Sequence, residues 1–226
     1  MAKNWGMTKP FYICEFIHAM FNSMGSLEEY SKVFDNTPGI LGGAIWEFQD
    51  QALWNKRDPK HPILAYGGGF GENPNDHYFI HKGVVSYDRT TEGKNVKPHY
   101  PEMKKAFQWI DTELTDPVNG GIQIKNKYQF ISLDGVEASW SLSENGKEIA
   151  NGKLQLPHID ARRDAYVRVP YKLNNIDPNA EYFLRVSYRL KDSTLWANKG
   201  FEIASEQFKL PMNTPPTFEN NSKMPI

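Results

Sequence analysis

The segment KPFYICEFIHAMFNSMGS, residues 9–26, ends an apolar run on a carboxylate, Glu15, and follows it three residues later with His18. A carboxylate at the tip of a buried strand is either solvated or placed for proton transfer or nucleophilic attack. A second apolar run, ILGGAI, ends on Trp46-Glu47, with Asp50 just beyond. The glycine-rich stretch YGGGFGENPNDHYFIHKGVV, residues 66–85, follows that run. Long loops of this kind inside compact domains are usually functional. Its GGGFG has neither the GxGxxG nor the Walker spacing and no helix start directly after it, so it does not read as a phosphate cradle.

The elements that must hold these groups change character near residue 114. Before it, FYICEF (11–16) reads as a short buried strand. SLEEYSKVFDN (26–36) reads as a helix with Leu27, Tyr30, Val33 and Phe34 on one face, Ser26 as N-cap and Glu29 completing a capping box. TPGILGGAIWEF (37–48) opens on a turn and becomes a strand, and PHYPEMKKAFQWIDTEL (98–114) reads as a second helix with Pro101 in its first turn. Strand, helix, strand, long loop and helix is the order of parallel βα units, whose active-site groups stand at strand C-terminal ends. After residue 115 the pattern becomes alternation and turns. The segments 121–133, 136–156, 164–173 and 180–196 read as antiparallel strands, with a hairpin turn at Asn145-Gly146. The expected fold is therefore α/β followed by all-β: parallel βα units, then a β-sandwich of about a hundred residues, then a polar, proline-rich tail over 213–226.

Bulk composition narrows the function classes. Among 226 residues, 26 Lys and Arg face 27 Asp and Glu, which leaves no electrostatic argument for nucleic acid or an anionic membrane. No apolar run approaches the roughly 20 residues of a membrane span, and residues 1–10 lack the apolar core of a signal peptide. The single cysteine, Cys14, rules out an internal disulfide. Aromatic residues make up 13% of the chain, with six Trp, a surplus that suits stacking against sugar rings as well as a large core.

Taken in order, ICEFIHAMFNSMGSLEEYSKVFDNTPGILGGAIWEFQDQAL, AYGGGFGENPNDHYFIHKGVV and the Asp88-Arg-Thr and Lys97-Pro-His-Tyr-Pro segments resemble the β-galactosidases of glycoside hydrolase family 2. The resemblance runs over almost the whole chain, and WANKGFEIASEQFKL (196–210) is similar to the end of the sandwich that follows the family's barrel; it implies that 1–114 is the C-terminal part of a (β/α)8 barrel and 115–212 an immunoglobulin-like β-sandwich. It implies a retaining hydrolase with Glu15 as nucleophile, which must be ionised and therefore needs nearby donors or cations. It implies that His18 bonds sugar hydroxyls, that Asn22 supports the same turn, and that galactose packs on Trp46. Phe21 stands where the family carries Gly. Glu47 and Asp50 are expected as positioning groups or rim structure. The resemblance places Asn75, Asp76 and Phe79 as shapers of the long loop. Some members bind sodium through the backbone at the Phe79 position and an Asn side chain at the Lys82 position; with Lys82 there, an ammonium is expected to contact the sugar in place of a metal.

Retaining hydrolysis needs a second carboxyl about 5–5.5 Å from the first. The resemblance places it on an earlier barrel strand, with magnesium ligands of the complete enzyme nearby. The chain is thus expected to hold no metal or other cofactor of its own, to act on β-galactosides only together with the preceding part of the enzyme, and to be inactive alone. Its two apolar barrel strands, with open edges, invite pairing with a second copy. The competing readings are a non-catalytic carbohydrate-binding or interaction module, and a glycosidase of glucuronides or mannosides. The compartment, bacterial cytoplasm or periplasm, stays open.

Overall fold

The computed structural model describes residues 8–21, 23–77, 81–86, 96–172 and 176–211. The chain forms two compact units, residues 1–107 and 108–226. The expected tail at 213–226 lies outside the described residues.

In the first unit, strand β1 (Phe11–Phe16) pairs in parallel with β2 (Ile40–Ile45), and helix α1 (Leu27–Asn36) makes the crossover between them. The hairpin β3 (Leu53–Asn55) and β4 (Ile63–Ala65) follows, in a stretch for which the sequence pattern indicates no element. Helix α2 (His99–Ala106) closes the unit. The core is small: Phe16, Ala19, Met24, Leu27, Val84 and Ala106 cluster between the sheet and the helices. Phe16 packs edge-on to Phe34 and tilted to Tyr30, and Leu27 is fully buried, so the face of α1 expected from its spacing meets the sheet in part; Tyr30 and Val33 remain exposed. Ser26 does not cap α1. Its backbone is left-handed and its side chain makes no cap bond, so there is no capping box with Glu29. Leu27 instead donates its N–H to the Glu102 carboxylate of α2 at 3.4 Å, and Ser31 Oγ donates to the carbonyl of Ala106 at 3.1 Å.

The helix expected over 98–114 ends at Ala106, and Ile110–Asp116 is a strand, β5. The compact units accordingly divide between Phe107 and Gln108, seven residues before the change of pattern at residue 114. β5 pairs with β6 (Gly121–Asn126), which pairs with β9 (Asp164–Arg168). The facing sheet runs in the order β11 (Glu202–Leu210), β10 (Tyr182–Leu190), β7 (Val136–Glu144), β8 (Lys147–Leu154). Ile110, Ile122, Ile124 and Val167 from the first sheet meet Leu142, Leu184, Val186 and Tyr188 from the second in one buried cluster. Tyr182, Leu184, Val186 and Tyr188 are all buried, as the alternation in β10 requires. The β7–β8 hairpin turns through Asn145 (φ 48°) and Gly146 (φ 81°), both in the left-handed region that a type I′ turn demands. Among the described residues no helix is long and apolar enough to cross a membrane.

Candidate active site

Glu15 stands where the β1–β2 ladder slips. Ile13 pairs with Gly43 and Phe16 with Ile45, so Cys14 and Glu15 together oppose the single Ala44. Such an extra residue breaks strict alternation and re-aims the side chains it carries. Ile13 and Phe16 then crowd the same face: a Cβ on Gly43 would lie 2.9 Å from the Phe16 ring and 3.1 Å from Ile13 Cβ. Both contribute to the core beneath α1, whereas Glu15 is exposed. Its Oε2 lies 3.3 Å from His18 Nε2, with both side chains partly exposed. The carboxylate and the imidazole thus face each other at the tip of β1.

Trp46 extends the parallel ladder by donating its N–H to the carbonyl of Phe16 at 3.1 Å, which brings the tips of β1 and β2 side by side. The Trp46–Glu47 peptide is cis. A third segment, 81–85, lies against both tips. The Lys82 carbonyl accepts the N–H of Ala19 (3.2 Å) and of Glu47 (2.9 Å), Val84 donates to Glu47 (2.9 Å), and Val85 donates to Phe48 (2.9 Å). Gly83 makes this approach feasible, since a Cβ there would sit 2.1 Å from the Asp50 nitrogen.

Lys82 is 2% exposed. Its Nζ lies 5.7 Å from the centroid of the Trp46 ring, 3.6 Å from Glu47 Oε1 and 3.5 Å from Gln51 Oε1. Gln51 Nε2 donates to Glu47 Oε2 at 2.8 Å. Asp50 turns away into buried structure, where its Oδ1 accepts the Gly83 N–H (2.8 Å) and the Lys97 ammonium (2.6 Å); His81 Nδ1 stands 3.8 Å from its other oxygen.

The glycine-rich loop is closed on itself. Gly67 donates to the His77 carbonyl at 2.9 Å, and the Glu72 carboxylate accepts the N–H groups of Gly68 (2.7 Å) and Phe70 (3.0 Å). Its own backbone N–H first, and then those of Gly68 and Phe70, lower the Glu72 pKa. Asn75 donates to the Glu72 carbonyl (2.9 Å) and accepts from His77 N (3.2 Å). The backbone of Asp76 crosses so close to Gly67 that a Cβ there would lie 2.9 Å from the Asp76 nitrogen. Asn22 and Phe79 lie outside the described residues.

Of the groups singled out from sequence, Glu15 and His18 are paired, and Trp46, Glu47 and Lys82 form a second cluster joined to them through backbone bonds. Gln51 was not foreseen. Its place four residues after Glu47 is the only signal the sequence offers. Among the described residues no group of three or more His, Cys, Asp or Glu is placed to hold a metal ion.

A parallel strand pair thus presents a carboxylate, an imidazole and an indole at its C-terminal tips, the end at which βα barrels carry their active sites. Residues 1–111 match the model for the TIM barrel domain of glycosyl hydrolases family 2, and residues 122–211 match that for domain 4 of β-galactosidase. The chain belongs to glycoside hydrolase family 2. It is similar to proteins named β-galactosidase from Priestia megaterium (35% identity over 90% of this chain and 19% of the relative), Clostridium acetobutylicum (34%, 88% and 21%) and Photobacterium profundum (36%, 89% and 19%). The chain spans about a fifth of the length of these relatives.

Proposed function

We propose that this chain carries the nucleophile side of the active site of a retaining β-galactosidase, completed by other parts of a larger enzyme, and that residues 108–211 are the immunoglobulin-like sandwich following its barrel. The supporting observation is the Glu15–His18 pair on the slipped turn of β1, beside Trp46 at the tip of the parallel neighbour. In this reading a Glu15 oxygen bonds to the anomeric carbon of a terminal β-galactose as the glycosidic C–O bond breaks. The leaving oxygen takes a proton from a second carboxyl outside this chain, and water activated by that same group then releases galactose. His18 orients Glu15 and meets sugar hydroxyls, together with Asn22. Trp46 provides the apolar face on which the sugar packs, and Lys82 lies at the edge of that site. Asn75, Asp76 and Phe79 shape the neighbouring loop.

No metal-dependent step is assigned to this chain. An ammonium donates hydrogen bonds and cannot ligate a cation, so the Lys82 position does not fit a bound sodium ion. Magnesium, where the complete enzyme uses it, belongs to residues elsewhere. The partners are the remaining barrel strands, the galactoside and, through the open edges of β1 and β2, a second copy; nucleic acid and membrane are not among them. Without the second carboxyl this chain alone would be inactive.

The test is covalent trapping. In the complete enzyme containing this chain, a 2-fluoro-β-galactoside inactivator should add one sugar mass to the peptide bearing Glu15, and Glu15→Gln should abolish the label. A label on another carboxylate, or none with the acid/base group present and the enzyme folded, refutes the assignment.

A further inference from the structure

We propose that Glu47 is a positioning residue that sets the orientation of the Trp46 ring through Lys82. This rests on the reading of Trp46 as the sugar platform. The indole Nε1–H of Trp46 is buried and, among the described residues, has no hydrogen-bond partner. A buried indole normally has its rotation fixed by that bond. The Lys82 ammonium lies over the ring, 5.7 Å from its centroid, at a distance where a desolvated cation is attracted to the aromatic face.

The ammonium is itself held in place. Its backbone is pinned by the two hydrogen bonds its carbonyl accepts from Ala19 and Glu47. A buried ammonium requires an anion beside it, and a well-packed apolar side chain would serve stability as well or better. What the charge adds is location. Glu47 Oε1 is buried with no hydrogen-bond partner among the described residues, and it faces Nζ at 3.6 Å. Gln51 bonds Glu47 Oε2 at 2.8 Å and stands 3.5 Å from Nζ through its own oxygen, which links the anion and the cation. Glu47 and Gln51 thus bracket the Lys82 ammonium beside the Trp46 ring. Removing the Glu47 charge withdraws the anion that faces the ammonium on that side.

The test is steady-state kinetics in the complete enzyme. Glu47→Gln is expected to raise KM for a galactoside roughly tenfold with kcat within about threefold, because only binding on the platform is disturbed. Lys82→Met should do the same, and the double variant should be no worse than either single one, since both act through one contact. Gln51→Ala, which keeps both charges, should give a smaller rise of about threefold. Trp46→Ala is the control on the platform itself. If it raises KM and Glu47→Gln does not, or if the Glu47 and Lys82 effects add, the positioning role is overturned. If Trp46→Ala leaves KM unchanged, the platform reading fails, while the trapping at Glu15 stands or falls separately.

Discussion

His18 Nε2 lies 3.3 Å from Glu15 Oε2, across three residues of chain that leave β1 at its one-residue slip. The slip matters more than the proximity. With regular alternation from Ile13, Phe16 would leave the core and its contacts with Tyr30 and Phe34 would be lost. The extra residue keeps Phe16 buried and still presents Glu15 outward beside the imidazole. In the complete enzyme, Glu15→Gln is expected to lower kcat by roughly three to six orders of magnitude, as removal of a nucleophile does. His18→Ala is expected to cost roughly ten- to a hundredfold in kcat/KM, the range for a lost orienting partner. Rates on an activated galactoside check both, and a His18 variant with wild-type kcat/KM would show that the pair is only a surface contact.

Gly83 is the position where the third segment either fits or does not. A methyl there would lie 2.1 Å from the nitrogen of Asp50 and 2.3 Å from the carbonyl carbon of Gln49, both backbone atoms with no rotamer to yield. Gly83→Ala is expected to cost about 3 kcal/mol. It should also open the bonds of Val84 to Glu47, Val85 to Phe48 and Asp50 to Val85. Hydrogen exchange at these three amides reads the effect directly. Retained protection at all three in the variant would mean that the backbone shifts without releasing the segment.

These relationships were unequally legible in the sequence. β1, β2 and α1 follow from apolar runs and one helical stripe, and the β7–β8 turn follows from Asn-Gly. The C-terminal end of α2 did not, because Met103, Ala106, Phe107 and Ile110 satisfy helical spacing while Ile110, Thr112 and Leu114 equally satisfy alternation. Pairing of β5 with β6 decides for the strand, and pairing is not a local property. The left-handed Ser26 and the slip at Glu15 leave no mark in residue type. Gln51 acquires meaning only once the 81–85 segment is folded against the tips, a contact some thirty positions away in the chain.

The sandwich core holds one polar pair that can be dissected cleanly. Tyr188 is fully buried, and its hydroxyl lies 2.6 Å from Thr112 Oγ1 on the opposite sheet. Burial drives the Tyr188 pKa far upward. Tyr188→Phe and Thr112→Val each strand one hydroxyl, at a cost of about 1–2 kcal/mol. The double variant removes both partners and is expected to fall short of the sum by about 1 kcal/mol. Urea unfolding of the four proteins closes the cycle, and strict additivity would mean that the bond contributes nothing.

The loop after β8 is stapled by charge. His158 Nδ1 lies 2.9 Å from both carboxylate oxygens of Asp134, and its Nε2 lies 3.0 Å from Asp160. A neutral imidazole donates from one nitrogen only, so both contacts are made together by the protonated ring. The hydrogen bonds to Asp134 first, then to Asp160, raise the His158 pKa above its ordinary 6.5. Those from His158 first, then Ser132, with Lys191 nearby, lower that of Asp134 below 3.8. The signs follow by linkage. The His158 contribution is complete below pH 6.5 and is lost as pH rises through the higher folded value. The Asp134 contribution is complete above pH 3.8 and is lost as pH falls through the lower folded value. Because the groups are exposed, the effect is small and sensitive to salt. Proton-detected titration of His158 should give a midpoint above 6.5 that moves down in both Asp134→Asn and Asp160→Asn. A midpoint at or below 6.5 in the unaltered chain would mean that the carboxylates do not hold the ring in solution.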